Sequence, residues 1–192
     1  MVSQIKVNEI IKQSGSSITI GESGDTISIP SGATLNSAGT NTLTGIANTP
    51  SFEATRSSDQ TLSSSTYAKV QYNTETFDTA GAYDNSSNYR FTVPSGQAGK
   101  YYIYASATIS SNAQTNFNFG NIVIYKNGSE YRNLISDHRA NPVYRPYVAV
   151  QAIMDLAVSD YIEIYARVNT GGSTPKIQGT NANYFGGYKL IG

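Results

Sequence analysis

Three segments in the second half of the chain place an apolar residue at every second position, and this pattern constrains the fold most strongly. From Ile103 to Ile109 every second residue is isoleucine or alanine, and the residues between them are tyrosine, serine and threonine. Segments 148–156 and 161–168 alternate in a similar way. Because successive side chains of a strand point to opposite faces, each segment is predicted to be a β-strand with one buried and one solvated face.

A hairpin signal supports the same fold class. Asn127-Gly128 lies between β-rich flanks, and both residues adopt positive φ readily, as a two-residue hairpin turn requires. No segment after residue 50 shows a comparable helical periodicity. We therefore predict an all-β fold in which residues 50–192 form an antiparallel two-sheet jelly roll, the head domain.

Charge and composition exclude several classes of function. Charged residues make up only 14% of the chain, and 13 basic residues balance 13 acidic ones, so the formal net charge is zero. This balance supplies no basic surface for nucleic acid or an anionic membrane. There is no cysteine, which excludes disulfides and thiolate metal sites. The N-terminal segment lacks the apolar run of a signal peptide, and no segment has the longer apolar run of a membrane-spanning helix. We therefore expect a protein that is made in the cytoplasm and does not insert into a membrane.

Residues 1–49 differ in character from the predicted head. Serine, glycine and threonine are abundant there, and isolated aliphatic residues recur between them. We predict minimal strands whose apolar residues meet those of two other copies around a three-fold axis, forming an extended β-rich stalk. The residues expected to make these trimer contacts are Ile18, Ile20, Ile27, Ile29 and Leu35. A flexible linker of the same composition is the alternative.

The sequence contains no arrangement that points to catalysis. His138 is the only histidine, and adjacent Asp137 would point away from it on a strand, so a Ser–His–Asp triad is not expected. Acidic residues such as Asp155 and Glu163 lie at strand ends or on solvated faces, and no spacing identifies a pair for glycoside hydrolysis. Segment 171–176 lacks the spacing of a phosphate-binding loop. We therefore predict that the protein is not an enzyme.

The residue types also argue against a cofactor. With one histidine and no cysteine, we expect no transition-metal site. Calcium is the ion that the sequence leaves open, because four oxygen-bearing side chains cluster in predicted loops. They are Asp78, Asp84, Asn85 and Asn88. We favour the alternative that these side chains bond nearby backbone groups as Asx turns, and we predict no metal and no cofactor.

Segment 131–147 is the best candidate for recognition of a partner. It concentrates arginine, tyrosine and proline with the only histidine between two predicted strands, and tyrosine and arginine are enriched in binding hot spots. We predict that its side chains contact a glycan or a protein on another surface. The candidates are Tyr131, Arg132, His138, Arg139, Tyr144, Arg145 and Tyr147. The alternative is that these residues form a trimer interface or cap the sandwich.

From Phe52 onwards, short motifs follow one another in an order typical of one family. They are Phe52-Glu53-Ala54, Tyr83-Asp84, Phe91-Thr92-Val93-Pro94, Gly99-Lys100-Tyr101, Tyr125-Lys126-Asn127-Gly128, Leu156 to Ile162, and Tyr184 to Ile191. The series resembles the globular head of complement subcomponent q, of the tumour-necrosis-factor-like jelly-roll superfamily. The resemblance implies a head that assembles as a homotrimer. Ser159 stands where the family has glycine, and the family's collagenous stalk is absent.

The N-terminal segments carry a second resemblance. KVNEIIKQSGSSITIG and ISIPSGATLNSAGT are similar to the openings of small structural proteins of marine tailed phages. This implies a virion protein that docks on other virion proteins through Ile5, Val7, Ile10 and Ile11, whose spacing fits a short helix as well as a strand. We expect a homotrimeric, non-enzymatic tail fibre or spike that presents its head for host attachment. The alternative is a capsid decoration protein that stabilises or coats the shell.

Overall fold

The chain divides into two units, which are described separately. A computed structural model describes residues 10–11, 14–15, 17, 19–34, 48–111 and 116–190. The units are Met1–Gly45 and Ile46–Gly192. Four residues with predicted docking or stalk roles lie outside the described residues. They are Ile5, Val7, Ile18 and Leu35.

The larger unit consists of β-strands joined by turns and loops. Its described residues contain thirteen strands and no helix. The strands are β1 Ser51–Arg56, β2 Gln60–Thr61, β3 Ala68–Lys69, β4 Thr74–Asp78, β5 Tyr83–Asp84, β6 Arg90–Thr92, β7 Gly99–Ser111, β8 Phe117–Lys126, β9 Ser129–Asp137, β10 Tyr147–Leu156, β11 Tyr161–Thr170, β12 Pro175–Ile177 and β13 Thr180–Lys189. None of the described residues belongs to a helix long and apolar enough to cross a membrane.

These strands form two sheets, and each strand pairing is antiparallel. The seven-stranded sheet has the order β2-β12-β7-β13-β1-β4, and β10 pairs along the remaining edge of β7. The six-stranded sheet has the order β5-β6-β11-β8-β9, and β3 pairs with β11 beside β6. Apolar side chains from both sheets fill the space between them. The prediction of an all-β, antiparallel two-sheet jelly roll is confirmed.

The alternating segments form the strands that their pattern predicts. Every second side chain of β10, from Val148 to Leu156, is buried. Asn127 and Gly128 form the predicted turn between β8 and β9, with φ of 50° and 77°. The predicted solvated face of β11 is wrong at Glu163, which is only 4% exposed. Glu163 is buried because it forms an ion pair with Lys69 on the neighbouring strand β3.

The aromatic residues of the motif series meet at the centre of the sandwich. The ring of Phe52 stacks on Phe91 and Tyr83, with centroids 4.7 Å and 5.2 Å away, and meets the edge of Phe185 at 5.0 Å. These residues come from four strands of the two sheets, so one aromatic cluster joins β1, β5, β6 and β13. Full burial of each such ring stabilises the fold by about 2 kcal/mol.

The smaller unit has a simpler described structure. The Asp25 backbone N–H donates to the Glu22 carbonyl at 3.0 Å, and the Glu22 N–H donates to the Asp25 carboxylate at 2.8 Å, closing a turn. The described residues of this unit form no strand. The described aliphatic residues with predicted roles are exposed, namely Ile10, Ile11, Ile20, Ile27 and Ile29. The predicted stalk, in which strands form only when three copies of the chain come together, stays a prediction.

Candidate interaction surfaces

The outer surface of the seven-stranded sheet carries a continuous group of tyrosines. They come from β7, β10 and β13, and their side chains point away from the core because they alternate with buried residues. We call this surface the tyrosine face and define it as Tyr102, Tyr104, Tyr147, Tyr184 and Tyr188. It joins residues that lie far apart in the sequence.

Strand register brings the tyrosines into contact. Tyr188 and Tyr102 are direct cross-strand partners, and their ring centroids lie 5.6 Å apart. The Tyr104 ring lies 5.8 Å from Tyr102 on one side and 5.8 Å from Tyr184 on the other. The hydroxyl groups of Tyr147 and Tyr184 are hydrogen-bonded at 3.0 Å. One chain therefore already holds these side chains in a defined arrangement.

Gly186 and Glu53 position the ring of Tyr104. A Cβ atom at Gly186 would lie 2.5 Å from the end of the Tyr104 side chain, so glycine allows the ring to lie against the sheet. The Tyr104 hydroxyl donates to the Glu53 carboxylate at 2.9 Å. Burial, and then this hydrogen bond, raise the pKa of Tyr104 well above its usual range, so its hydroxyl stays protonated.

Exposed apolar side chains form a second surface at one edge of the sandwich. There β9, the last strand of the six-stranded sheet, lies beside β10 of the other sheet. Tyr131 and Leu134 on β9 are 43% and 46% exposed, and Ile153 on β10 is 60% exposed. The Tyr131 hydroxyl donates to the Ile153 carbonyl oxygen at 3.4 Å. These three residues are the apolar edge.

The structure places the seven residues of the predicted recognition segment in different surroundings. Tyr131 belongs to the apolar edge, Tyr147 belongs to the tyrosine face, and Arg132 is exposed on β9. The guanidinium carbon of Arg145 lies 5.0 Å from the ring centroid of Tyr144 in the connection before β10. Their role in receptor binding stays a prediction.

His138 and Arg139 follow the end of β9. His138 Nε2 lies 2.9 Å from Ser136 Oγ, and its ring meets the edge of Phe117 with centroids 5.7 Å apart. Asp137 does not orient the histidine, because its carboxylate accepts hydrogen bonds from the Arg139 guanidinium. These bonds lower the pKa of Asp137 to about 2. The residues around His138 thus form a Ser–His contact without the acid of a triad.

The loop carboxylates considered as calcium ligands accept hydrogen bonds from nearby backbone groups, as the Asx-turn alternative expects. Asp84 Oδ1 accepts from the N–H groups of Ser86 and Ser87 at 3.0 Å and 2.9 Å, and Oδ2 accepts from the Asn88 N–H at 3.0 Å. These bonds hold the pKa of Asp84 well below its usual range. Asp78 likewise accepts N–H groups from residues that follow it. Within the described residues, no group of three or more His, Cys, Asp or Glu side chains is placed to hold a metal ion.

Sequence reasoning missed the tyrosine face as a site. The available signal was the concentration of tyrosine at solvated positions, at residues 102 and 104 of β7 and again near the C-terminal end of β13. Recognising one surface required the pairing of β13 with β7, which is a non-local contact. Alternation alone does not provide it.

Comparisons with known proteins show the fold of the head. The globular domain of zebrafish complement 1qA protein is 13% identical, with a TM-score of 0.52 over 74% of this chain and 98% of that one. A crystal structure of murine APRIL at pH 5.0 is 11% identical, with a TM-score of 0.53 over 73% of this chain and 98% of that one. No protein-family model and no curated protein matches the sequence. The head therefore has the jelly-roll fold of the complement-q and tumour-necrosis-factor-like proteins.

Proposed function

We propose that this chain is a non-enzymatic, homotrimeric structural protein of a tailed-phage virion, made in the host cytoplasm, whose head attaches the particle to its host. The observation that carries the trimer is the tyrosine face. Five aromatic side chains lie together on the outside of a sheet, and Tyr147 is 50% exposed there. Contiguous aromatic surfaces of this kind are typical of protein interfaces.

The apolar edge supplies a partner for the tyrosine face. The two surfaces adjoin, because Ile153 is the direct cross-strand partner of Tyr102, but Tyr131 and Leu134 of the apolar edge lie on β9 of the other sheet. An interface between two different patches of the same chain is head-to-tail, and it forms a closed ring when the rotation between copies closes. We propose that the apolar edge of each copy packs on the tyrosine face of the next. The similarity of fold to complement-q-like heads favours three copies.

The placement on a virion rests on the N-terminal sequence resemblance. Ile10 and Ile11 are 64% and 75% exposed in the single chain, which leaves them free to dock on another virion protein together with Ile5 and Val7. Ile27 and Ile29 are 56% and 51% exposed, and three copies would bury them against one another along a stalk. The head would contact the host, as that of a short tail fibre or spike does.

The trimer is tested by light scattering on the purified full chain. We expect a mass three times that of the 20.6 kDa chain. Tyr104→Arg should give a monomer, because it replaces an aromatic ring of the tyrosine face with a charged side chain that assembly would have to desolvate. Tyr144→Arg is the control, because Tyr144 is 41% exposed but lies outside the tyrosine face. A monomeric wild-type chain, or a trimer that Tyr104→Arg leaves intact, would overturn the assembly.

The position on the particle is tested separately. Gold-labelled antibody against residues 50–192 should bind purified particles at the tail. Labelling spread over the shell would make the chain a capsid decoration protein instead. Absence of labelled particles would overturn the virion assignment while leaving the trimer unaffected.

A further inference from the structure

A cleft opens on the outer surface of the six-stranded sheet, on the opposite sheet from the tyrosine face. Its volume is about 370 Å³, and it is lined by Phe119, Asn121, Ile135, Arg139 and Arg167. We call it the arginine cleft. Asn121 on β8 is the cross-strand partner of Arg167 on β11 and of Ile135 on β9. Direct cross-strand partners point to the same face, so these three side chains form one row across the cleft.

The floor of the cleft holds a buried polar atom that lacks a partner. Asn121 is only 6% exposed, and its Nδ2 donates to Asn133 Oδ1 at 2.8 Å. Its Oδ1 atom is buried and accepts no hydrogen bond from the residues that the structure describes. An unsatisfied buried acceptor of this kind costs about 1–3 kcal/mol. A ligand that donates a hydroxyl or N–H group to this oxygen would recover that free energy.

Arg167 supplies a positive charge that no described carboxylate neutralises. Its Nε donates to the Ser65 carbonyl oxygen at 3.0 Å. The guanidinium carbon lies 5.4 Å from the ring centroid of Phe119 and 5.7 Å from that of Tyr67, so two aromatic rings hold it in place. Its two terminal nitrogens have no acceptor within the described part of the chain. They are therefore available to a carboxylate, which matches the guanidinium geometry.

Arg139 adds charge at one end of the cleft. Its guanidinium carbon lies 5.7 Å from the centroid of Phe119. Asp137 holds this side chain through a salt bridge, so Arg139 contributes a fixed donor rather than a second free cation. Ile135, which is 55% exposed, offers an apolar wall beside these charges. The cleft thus combines a carboxylate receptor, an acceptor for a donor group and an apolar surface.

We propose that the arginine cleft binds a carboxylate-bearing sugar unit of an acidic polysaccharide. The carboxylate would pair with Arg167, a ring hydroxyl would donate to Asn121 Oδ1, and the C–H face of the ring would pack on Ile135. A volume near the lower end of the range for small-ligand sites suits one or two sugar units better than an extended peptide. A rigid ring also presents its acid and hydroxyl groups with little loss of conformational entropy.

This inference rests on the proposed attachment role, because it names the class of host ligand. The arginine cleft is separate from the proposed trimer interface, since the cleft lies within one chain and needs no second copy. The probes are a galacturonic acid trisaccharide and the matching galactose trisaccharide, which differ only in their carboxylates. Titration calorimetry on the full chain should detect the acidic trisaccharide and show binding to the neutral one that is weaker by about tenfold or more.

Two substitutions and one control test the residues. Arg167→Gln should weaken binding of the acidic trisaccharide by about tenfold or more, because the charged partner of the carboxylate is lost. Ile135→Asp should weaken it similarly, since it places a competing carboxylate in the same row at an exposed position. Arg90→Gln is the control, because Arg90 lies over Tyr161 on the same sheet but does not line the cleft. Circular dichroism checks that each variant is folded.

Three results would overturn the inference. They are equal binding of the acidic and neutral trisaccharides, unchanged binding by both cleft variants, and tighter binding of an oligoglutamate peptide than of the acidic trisaccharide. Light scattering of the same samples separates this failure from that of the trimer. A monomeric chain that binds the acidic trisaccharide would contradict the proposed assembly and support the cleft. A trimer that binds neither trisaccharide would do the reverse.

Discussion

The outer surfaces of the two sheets differ in how completely one chain covers them. On the six-stranded sheet, Val123 is fully buried although it faces outwards, because longer side chains extend over it. Tyr125 and Tyr165 pack together there with ring centroids 4.2 Å apart, beside the Lys69–Glu163 ion pair. The tyrosine face on the other sheet has no such cover from the described residues of its unit, and on the same side of β10 Tyr147 and Ile153 are half exposed or more.

The two aromatic surfaces therefore differ in how much of their area a single chain removes from water. The six-stranded sheet covers the outer residues of its strands β8 and β11 largely within the chain, while Ile135 on its edge strand β9 stays exposed beside the arginine cleft. The seven-stranded sheet leaves aromatic area that a second copy can remove from water, at about 25 cal/mol per Å². The two surfaces should therefore respond differently to substitution and to assembly.

The largest effect is expected where the tyrosine face meets the sheet. Gly186→Val would bring a Cβ atom to 2.5 Å from Tyr104 and 2.9 Å from the Phe52 carbonyl oxygen. We expect a loss of about 3 kcal/mol in the free energy of unfolding, measured with urea, because both neighbours must move. Exposed Ala182→Val on the same strand is the control and should change stability by less than about 0.5 kcal/mol. Equal losses would show that Gly186 does not position the tyrosine.

The second-largest effect is expected at the ion pair that helps to cover the outer surface of the six-stranded sheet. Lys69→Met removes the partner of Glu163, whose side chain is 6% exposed, while that of Lys69 is 28% exposed. We expect a loss of about 2–3 kcal/mol, because a buried carboxylate is left unpaired. The double variant Lys69→Met with Glu163→Leu should recover most of the loss. If the double variant costs as much as the two single variants added together, the pair contributes no coupling.

The pH dependence of stability tests a contribution that the carboxyl group of Asp160 makes within one chain. Asp160 accepts hydrogen bonds from Lys126 and then Asn127, and these lower its pKa to about 2 in the folded state. A carboxyl group with a depressed folded pKa stabilises the fold above its unfolded pKa and loses that contribution as pH falls from about 4 to about 2. The stability difference between wild type and Asp160→Asn should therefore shrink over that window. A constant difference would contradict this assignment.

The smallest effect concerns the turn that precedes β11. Ser159 has a φ of 69°, a conformation that favours glycine. Ser159→Gly should raise the free energy of unfolding by about 0.5 kcal/mol, because relief of backbone strain slightly exceeds the entropy that glycine adds to the unfolded chain. Ser95→Gly, at an exposed turn position outside the strands, serves as a control in the same urea measurements. A loss of stability in Ser159→Gly would mean that the serine is not strained.

Local patterns were sufficient to predict much of the fold. Alternation of apolar and polar residues predicted β7, β10 and β11. The Asn127-Gly128 pair predicted the hairpin, and both residues have the positive φ that its turn requires. The motif series indicated the head fold, because its aromatic residues occupy the shared core around Phe52. The candidate surfaces were harder to predict because they depend on register. Asn121 faces outwards yet is buried, which follows from neighbours on two other strands rather than from its own segment.

Nitration of tyrosines in the native full chain, followed by mass spectrometry, tests the central claim most directly. Tyr147 and Tyr144 form a matched pair, because they are 50% and 41% exposed in a single chain. If copies assemble through the tyrosine face, Tyr144 should be nitrated and Tyr147 protected, and dilution or Tyr104→Arg should remove that protection. Nitration of Tyr147 at least as readily as Tyr144 in the undiluted wild-type protein would contradict the account.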